Sequence, residues 1–347
     1  MGVFNTSKDM GIDLGTANTL IYLAEKGIVL NEPSVIAVER YTGKLLATGM
    51  KAKEMIGRAP SNIDVVRPLE DGVISNFDMT VEMLKDFIYK ALHKKAGTIN
   101  IRAVVGVPSG VTEVEKRAVE DTIRQMGGKE VFILEEPMAA AIGAGLDVND
   151  PSGCMVADIG GGTTDIAIIA LGGIVSFTSI RHAGDKFNEA IIQYMRRVHA
   201  LHIGEQMAEN LKIHMGCAMV DADVSDENRE YMEAKGRDAV SGLPKVVLIT
   251  QSDMQAALED SIEIVVEGIR STLEVCPPEL AADIVTNGLV LAGGGSMLHN
   301  LDKLIAARTG MDVRVADNAF EAVVLGAGAS LGNTEWLKSY VNNRRRR

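Results

Sequence analysis

The stretch that decides the fold is "MVADIGGGTTDIAII", residues 155–169. Two apolar runs suited to buried strands flank a segment made of glycine, threonine and aspartate. Glycine weakens the interior of a strand, so a glycine run marks a tight turn or a place where another group approaches the backbone closely. The stretch therefore predicts a hairpin with a bare turn and an aspartate on each side of it.

The same pattern occurs a second time near the start of the chain. "IDLGTANTLIYL", residues 12–23, overlays "ADIGGGTTDIAI", residues 157–168. Asp13 then matches Asp158, whereas Asp165 meets a leucine of the first copy and is assigned no shared role. Two related halves predict an α/β protein of two duplicated lobes with a cleft between them.

The overall composition limits the classes of function. A chain of 347 residues with 46% apolar and 24% charged residues is typical of a globular protein with two lobes or domains. The formal net charge of −12 and the 4% aromatic content argue against nucleic acid as a partner. The 3 cysteines have no metal-ligand spacing, and no apolar run approaches the roughly 18 residues of a membrane span. We therefore expect a cytoplasmic protein.

Glycine-rich turns are suited to binding anions. They expose backbone N–H groups, and no Cβ atom keeps an anion away. Two related turns at equivalent points of two halves can hold a polyphosphate from opposite sides. A third glycine turn, residues 293–296, follows an apolar strand and opens a helix, where backbone can receive a base or a sugar. Asp13 and Asp158 would repel phosphates, so they predict a Mg²⁺ ion, held partly through water.

Glu136 is the candidate for the chemical step. It follows a strand and begins a helix of small residues, the edge at which α/β sheets place their chemistry. A carboxylate there can orient a water for in-line attack on a terminal phosphate. Each turn alone is also compatible with an ordinary hairpin, and Glu135 and Glu136 with capping of the helix. The sequence contains no P-loop, no zinc-ligand spacing and no nucleophile elbow.

These motifs resemble the phosphate, connector and adenosine motifs of the actin and sugar-kinase superfamily, and more closely those of the MreB family of bacterial actins. The resemblance covers essentially the whole chain and is carried by "IDLGTANTLIY", "RPLEDGVISNFDMT", "EEPMAAAIGAG", "GDKFNEAI", "IGEQMAENLK" and "LAGGGSML". It implies an actin-like (ribonuclease H-like) α/β fold in which two duplicated lobes form four subdomains around a nucleotide cleft. The implied boundaries are 1–32, 75–150 and 322–347 for subdomain IA, 33–74 for IB, 151–183 and 255–321 for IIA, and 184–254 for IIB.

The resemblance also implies roles for individual residues. Glu136 would polarise the attacking water with the help of Thr163, and Asp13 and Asp158 would hold a hydrated Mg²⁺, which places Asp158 in the catalytic set as well. Glu209 and the lysine three residues later would lie near the ribose and base. The implied nucleotide-binding set is Asp13, Gly15, Thr16, Ala17, Asn18, Gly160, Gly161, Gly162, Thr163, Glu209, Lys212, Gly293, Gly294, Gly295, Ser296 and Met297.

The role that the resemblance implies is a cytoskeletal filament with slow ATPase activity. MreB-like proteins polymerise with ATP and Mg²⁺ into paired protofilaments at the inner face of the cell membrane. There they guide the cell-wall elongation proteins, together with a membrane adaptor, and maintain rod shape. The segment before the first strand is too short for a good amphipathic helix, so we expect membrane contact at residues 92–98, with Lys94 and Lys95, or at Val3 and Phe4.

Enzymes and chaperones of the same superfamily are the alternatives. A sugar or acetate kinase requires an acceptor pocket with a catalytic base, usually an aspartate in the inserted subdomains. Residues 31–71 and 185–252 show no such pattern. A chaperone ATPase of the heat-shock type and a plasmid-segregating actin are the other candidates.

Overall fold

The computed structural model describes residues 7–93, 100–108, 111–221 and 230–344. Its strands are β1 (Lys8–Leu14), β2 (Asn18–Leu23), β3 (Gly27–Pro33), β4 (Ile36–Glu39), β5 (Leu45–Thr48), β6 (Ile63–Val66), β7 (Leu69–Glu70), β8 (Val73–Ile74), β9 (Ile101–Val107), β10 (Gly128–Glu135), β11 (Cys154–Ile159), β12 (Thr164–Ala170), β13 (Gly173–Ile180), β14 (Leu201–His202), β15 (Met232–Asp238), β16 (Pro244–Ile249), β17 (Leu289–Ala292) and β18 (Val313–Val315). Its α-helices are α1 (Met50–Lys53), α2 (Phe77–Leu92), α3 (Glu113–Gln125), α4 (Glu136–Gly143), α5 (Gly184–His199), α6 (Glu205–Met215), α7 (Gln251–Glu274), α8 (Pro278–Asn287), α9 (Leu301–Thr309), α10 (Ala322–Ser330) and α11 (Thr334–Arg344), and 3₁₀ turns span Gly294–Met297 and Ala319–Glu321.

Two large sheets repeat one topology. The first has the strand order β10-β9-β1-β2-β3, and the second has the order β18-β17-β11-β12-β13. In the first, β1 pairs antiparallel with β2 and parallel with β9. In the second, β11 pairs antiparallel with β12 and parallel with β17. The predicted duplication into two lobes is confirmed; we call the lobe with the first sheet lobe I and the other lobe II.

The two hairpins of the repeat share one register. The β1–β2 pairing places Asp13 opposite Leu20, and the β11–β12 pairing places Asp158 opposite Asp165. In both hairpins a single apolar residue separates the aspartate from the glycine that begins the turn. Asp165 is thus a cross-strand neighbour of Asp158, which the comparison of the two copies alone did not reveal.

Each lobe carries a smaller sheet in the segment inserted into it. The order β5-β4-β6 is formed within residues 33–74, and the order β14-β15-β16 within residues 184–254. The hairpin β7–β8 follows the first of these sheets. The division into four subdomains at the stated boundaries stays a prediction.

Sequence signals locate the N-terminus of α3 correctly and place that of α2 three residues too late. Thr112 and Glu115 have capping-box spacing in the sequence, which predicts a helix start there. The structure confirms it, because the Thr112 side chain accepts from the backbone of Glu115 while the Glu115 side chain accepts from the backbone of Thr112. Apolar periodicity from Thr80 to Ala96 predicts a helix there; α2 starts earlier, at Phe77, where Asn76 caps it by accepting from the backbone N–H of Met79.

Membrane contact is predicted at residues 92–98 or at Val3 and Phe4. Val3, Phe4, Lys94 and Lys95 lie outside the described residues. Within the described ranges, no helix combines the length and the apolar character that a membrane span requires.

The two lobes meet through a pair of crossing helices, α4 and α10. A Cβ atom on Gly143 would collide with the carbonyl oxygen of Ala322, and one on Gly326 would collide with the carbonyl oxygen of Ala139. Small residues let the two backbones touch. These helices and the buried faces of β9 and β11 form one shared core between the lobes, which brings the start of α4 to the cleft.

Candidate functional site

A cavity of about 500 Å³ lies between the lobes and is lined by residues of both. It collects the ends of both repeated hairpins, the start of α4 and the third glycine turn. The predicted site residues that line it are Asp13, Gly15, Thr16, Ala17, Asn18, Glu136, Asp158, Gly160, Gly161, Gly162, Thr163, Glu209, Lys212, Gly293, Gly294, Gly295 and Met297.

Ser296 is the predicted residue that does not line this cavity. Its side chain is buried, and its hydroxyl donates to the carbonyl oxygen of Gly293 at 2.6 Å. The hydroxyl therefore closes the third glycine turn from inside. Its contribution to a ligand site would come through the shape of that turn.

The two repeated turns touch each other directly. A Cβ atom on Gly161 would lie 2.5 Å from the Cβ of Ala17, and one on Gly162 would lie 2.8 Å from the Thr16 hydroxyl oxygen. Contacts this close are not possible between real side chains, so the second turn is bare where the first turn approaches it. The glycine run is therefore required in part by the partner turn. The sequence pattern alone does not indicate this contact.

The tip of the β7–β8 hairpin contacts both turns. The backbone N–H of Gly72 donates to the Thr16 hydroxyl at 3.1 Å. A Cβ atom on Gly72 would lie 2.5 Å from Cγ2 of Thr163. Asp71 and Gly72 both have positive φ, 49° and 74°, as a tight two-residue hairpin turn requires. Neither residue is among those that the sequence predicts for the site.

Four carboxyl groups cluster at this part of the cavity: Asp13, Glu136 and Asp158 line it, and Asp165 lies opposite Asp158 on the neighbouring strand. Burial raises the pKa of Asp13 to about 7. Burial also raises the pKa of Glu136 well above its usual range, and the charges of Asp13, Asp165 and Asp158 raise it further. The pKa of Asp158 rises for the same reasons, through burial and the charges of Asp13 and Asp165. Such a cluster binds a cation readily, because a cation offsets charges that burial makes unfavourable.

The donors around the cavity fit a Mg²⁺ ion that keeps most of its water. In the described ranges no group of three or more His, Cys, Asp or Glu side chains is arranged to hold a metal directly. Mg²⁺ is commonly bound by one or two carboxylates, water and phosphate oxygens rather than by a full set of protein ligands. Among the described residues Oε1 of Glu136 has no hydrogen-bond partner, although it is buried. That oxygen is available to a water molecule in the cavity.

Ion pairs cross the mouth of the cavity between the two inserted segments. Lys53 at the end of α1 pairs with Glu209 of α6 at 2.6 Å. Arg67 pairs with Asp185 of α5 at 3.2 Å and with Glu205 of α6. We call these contacts the interlobe clasp. Local sequence patterns did not indicate it, because it depends on how the two inserted segments lie relative to each other.

Lys212 and Glu209, predicted to meet a ribose and base, already have protein partners. The Lys212 ammonium donates to the carbonyl oxygen of Gly184 at 2.8 Å, and burial lowers its pKa. Beside them, Ile213 and Met297 each expose 65% of their surface while lining the cavity. Exposed apolar side chains in the wall of the cavity provide a surface for a flat ring. Ile213 was missed because no motif marks it.

The cavity lies between two duplicated lobes, a glycine turn of each lobe faces that of the other, and a third glycine turn lies in the wall. These features define an actin-like protein. The family model described as MreB/Mbl protein matches residues 7–339. This chain belongs to the MreB/Mbl family.

Relatives of known role agree with this assignment. The chain is 45% identical over 331 residues to the cell shape-determining protein Mbl of Bacillus subtilis, covering 95% of this chain and 98% of that protein. It is also 45% identical over 329 residues to the cell shape-determining protein MreB of Escherichia coli K12, covering 94% and 93% of the two chains.

Solved structures show the same fold. MreB5 of Spiroplasma citri, crystallised with AMPPNP, superimposes with a TM-score of 0.88 at 35% identity and covers 95% of this chain and 97% of its own. The same protein has been solved with ADP. A chain of the MamK double helical filament superimposes with a TM-score of 0.78 at 22% identity, covering 94% and 99%, a likeness of fold alone.

Proposed function

We propose that this chain binds ATP with Mg²⁺, hydrolyses it slowly, and polymerises into actin-like filaments at the inner face of the cell membrane. These filaments organise cell-wall elongation and maintain rod shape. The observation that carries the nucleotide part is the cavity between the lobes, where two facing glycine turns adjoin a buried carboxylate cluster. Few ligands other than a metal-bound polyphosphate combine an anion for the turns with a cation for the carboxylates.

The residues divide the task by their chemistry. Backbone N–H groups of residues 15–18 and 160–163 would bind the phosphates. Asp13 and Asp158 would hold the water shell of Mg²⁺, which when bound offsets the charge of the phosphates. Glu136, with one oxygen available to water and Thr163 nearby in the cavity, would orient the attacking water.

The structural relatives support this assignment of ligand and role. AMPPNP and ADP are bound by MreB5 of Spiroplasma citri, which shares 35% of its residues with this chain. Mbl of Bacillus subtilis and MreB of Escherichia coli are cell shape-determining proteins. Self-association into paired protofilaments follows the same family role, as do contacts with cell-wall elongation proteins and a membrane adaptor.

Polymerisation on lipid is the direct test. We expect purified protein with ATP and Mg²⁺ to pellet with anionic liposomes and to form paired filaments visible by electron microscopy. Asp158→Ala is expected to weaken Mg²⁺-dependent nucleotide binding, whereas Asp260→Ala, an exposed aspartate on α7, should bind like the wild type.

Two results would contradict the proposal. One is a protein that stays monomeric on lipid with ATP over a wide range of concentrations. The other is ATP-dependent phosphorylation of a small metabolite, which would assign the fold to a kinase instead.

A further inference from the structure

Two adjacent glutamates at the start of α4 have separate surroundings. Glu136 lines the cavity. Glu135 is buried, does not line the cavity, and accepts a hydrogen bond from the Tyr340 hydroxyl at 3.0 Å. Sequence reasoning allowed Glu135 to cap α4, but its side chain makes no capping hydrogen bond to that helix. It reaches the C-terminal helix α11 instead.

The Tyr340 hydroxyl is held at this place by contacts along α11. The Tyr340 ring stacks on Trp336 with centroids 5.3 Å apart and an interplanar angle of 28°. At the start of α11, the Thr334 hydroxyl accepts from the Arg102 guanidinium at 3.0 Å, and Leu337 is fully buried between these points. The part of α11 that precedes the tyrosine is therefore fixed to lobe I.

Glu135 controls the backbone from which Glu136 projects. It is the last residue of β10 and the N-cap residue of α4, with φ −71° and ψ 138°, and a proline follows Glu136. A buried carboxylate is unfavourable unless donors surround it, so its position depends on groups such as the Tyr340 hydroxyl. Movement of Glu135 would shift the first turn of α4 and the Glu136 side chain with it.

We propose that Tyr340 is a positioning residue for ATP hydrolysis, acting through Glu135 on the location of Glu136. This inference rests on the proposed function, in which Glu136 orients the attacking water. Tyr340 does not line the cavity, so we expect its effect to be confined to the chemical step. A displacement of the water-orienting oxygen lowers the rate of hydrolysis without changing the phosphate turns that bind the nucleotide.

Tyr340→Phe is the test, since it removes only the hydroxyl. We expect kcat for ATP hydrolysis to fall about tenfold, the effect of one lost hydrogen bond to a charged group, with KM and the Kd for ATP unchanged. Tyr194→Phe is the matched control, because the Tyr194 hydroxyl donates to Asp253 with a distance of 3.1 Å and neither residue lines the cavity. The kcat of this variant should stay at the wild-type value.

A double variant separates positioning from general weakening of the fold. In Glu136→Ala the water is no longer oriented by the carboxylate, so adding Tyr340→Phe should cause no further loss of kcat. If Tyr340→Phe proves poorly folded by its melting curve, Glu135→Gln keeps the shape and an acceptor while removing the charge, and a smaller loss of kcat is expected.

The outcomes of the two proposals are distinguishable. One outcome is that folded Tyr340→Phe, or Glu135→Gln in its place, has the wild-type kcat while Glu136→Ala hydrolyses ATP slowly. That result overturns the role of Tyr340 and leaves the proposed function standing. So does an equal further loss of kcat when Tyr340→Phe is added to Glu136→Ala. Hydrolysis by Glu136→Ala at the wild-type rate overturns the proposed role of Glu136 itself.

Discussion

Helices α4 and α10 follow the corresponding edge strands, β10 of the first sheet and β18 of the second, yet they contribute differently to the cavity. The reciprocal contacts of Gly143 with Ala322 and of Gly326 with Ala139 relate the two helices residue by residue. By that correspondence Glu136 of lobe I matches Ala319 of lobe II. The packing of the helices is shared, whereas the residue at the cavity end of each is not.

At this position lobe II uses a backbone carbonyl oxygen to fix a turn, whereas lobe I presents a carboxylate to the cavity. In lobe II the Ala319 carbonyl oxygen accepts from the backbone N–H of Gly293 at 2.7 Å and so fixes the third glycine turn. In lobe I the matching position carries a buried carboxylate with an oxygen available to water. The two lobes share the framework; under the proposed function, one presents the group for hydrolysis while the other shapes a binding surface.

The repeated turns differ in the same sense. The first turn keeps side chains at Thr16 and Ala17, and the second has Gly161 and Gly162 where those side chains come close. The two turns are therefore complementary in shape. A pair of identical turns, both with side chains, could not approach each other across the cleft.

The largest effect is expected from removal of the group that one lobe alone carries. Glu136→Ala should slow ATP hydrolysis by about 10²- to 10⁴-fold, the range for loss of a positioned general base, while nucleotide binding persists. Phosphate release under saturating ATP measures the rate of hydrolysis, and nucleotide titration measures binding. Glu321→Ala is the matched control, since Glu321 lies at the start of α10 and does not line the cavity.

A wild-type rate in Glu136→Ala would show that another group orients the water. Asp165 would then be the next residue to substitute, because it is buried and lies opposite Asp158. A slow Glu321→Ala would mean that the two helix starts act as one unit rather than separately.

A smaller effect is expected when the shape complementarity of the turns is reversed. Gly161→Ala places a methyl group 2.5 Å from the Cβ of Ala17, and overpacking of this kind typically costs about 1–3 kcal/mol. The affinity for Mg²⁺–ATP should fall about tenfold or more. In the double variant Ala17→Gly/Gly161→Ala the methyl group is moved to the other turn, and most of the affinity should return.

The nucleotide affinities of both variants show whether the glycine run is required by the partner turn or by the ligand. Recovery in the double variant means that the partner turn requires the bare backbone. No recovery means that the ligand itself requires it, as the sequence alone suggested. Wild-type affinity in Gly161→Ala would exclude both.

The parts of this molecule that sequence reasoning predicted are those that local pattern controls. Both hairpins follow from apolar runs that flank glycine turns, and Asp13, Asp158 and Glu136 lie near strand ends or at a strand–helix junction that such patterns mark. Because the copies are related, the first hairpin also predicted where the second would turn. Topology then brings these points to one cavity.

The residues that were missed depend on contacts between distant segments. Lys53 and Arg67 reach the cavity from one inserted segment and pair with carboxylates of the other, and nothing near them in sequence marks those partners. Asp165 was set aside because its counterpart is Leu20, yet its position opposite Asp158 places it in the carboxylate cluster. Comparison of repeats identifies shared roles and overlooks roles that only one copy has.

The smallest effect is expected at the clasp, where the inserted segments of the two lobes meet. Lys53 and Glu209 expose 21% and 22% of their side chains, so their ion pair is screened by solvent and is worth about 1 kcal/mol or less. Lys53→Glu should therefore speed release of bound nucleotide by only about two- to fivefold, and less at high salt. Lys51→Glu, two residues earlier and exposed on the same short helix, is the control.

Exchange of the two charges decides what Glu209 does. If Glu209 acts in the clasp, Lys53→Glu/Glu209→Lys restores the pair and with it the wild-type rate of nucleotide release, followed by displacement of a fluorescent ATP analogue. If instead Glu209 binds the ribose, as the family resemblance implies, the double variant releases nucleotide at least as fast as Lys53→Glu alone. The inserted segments would then meet without controlling the cavity, and the asymmetry between the lobes would lie in the helix starts and the turns.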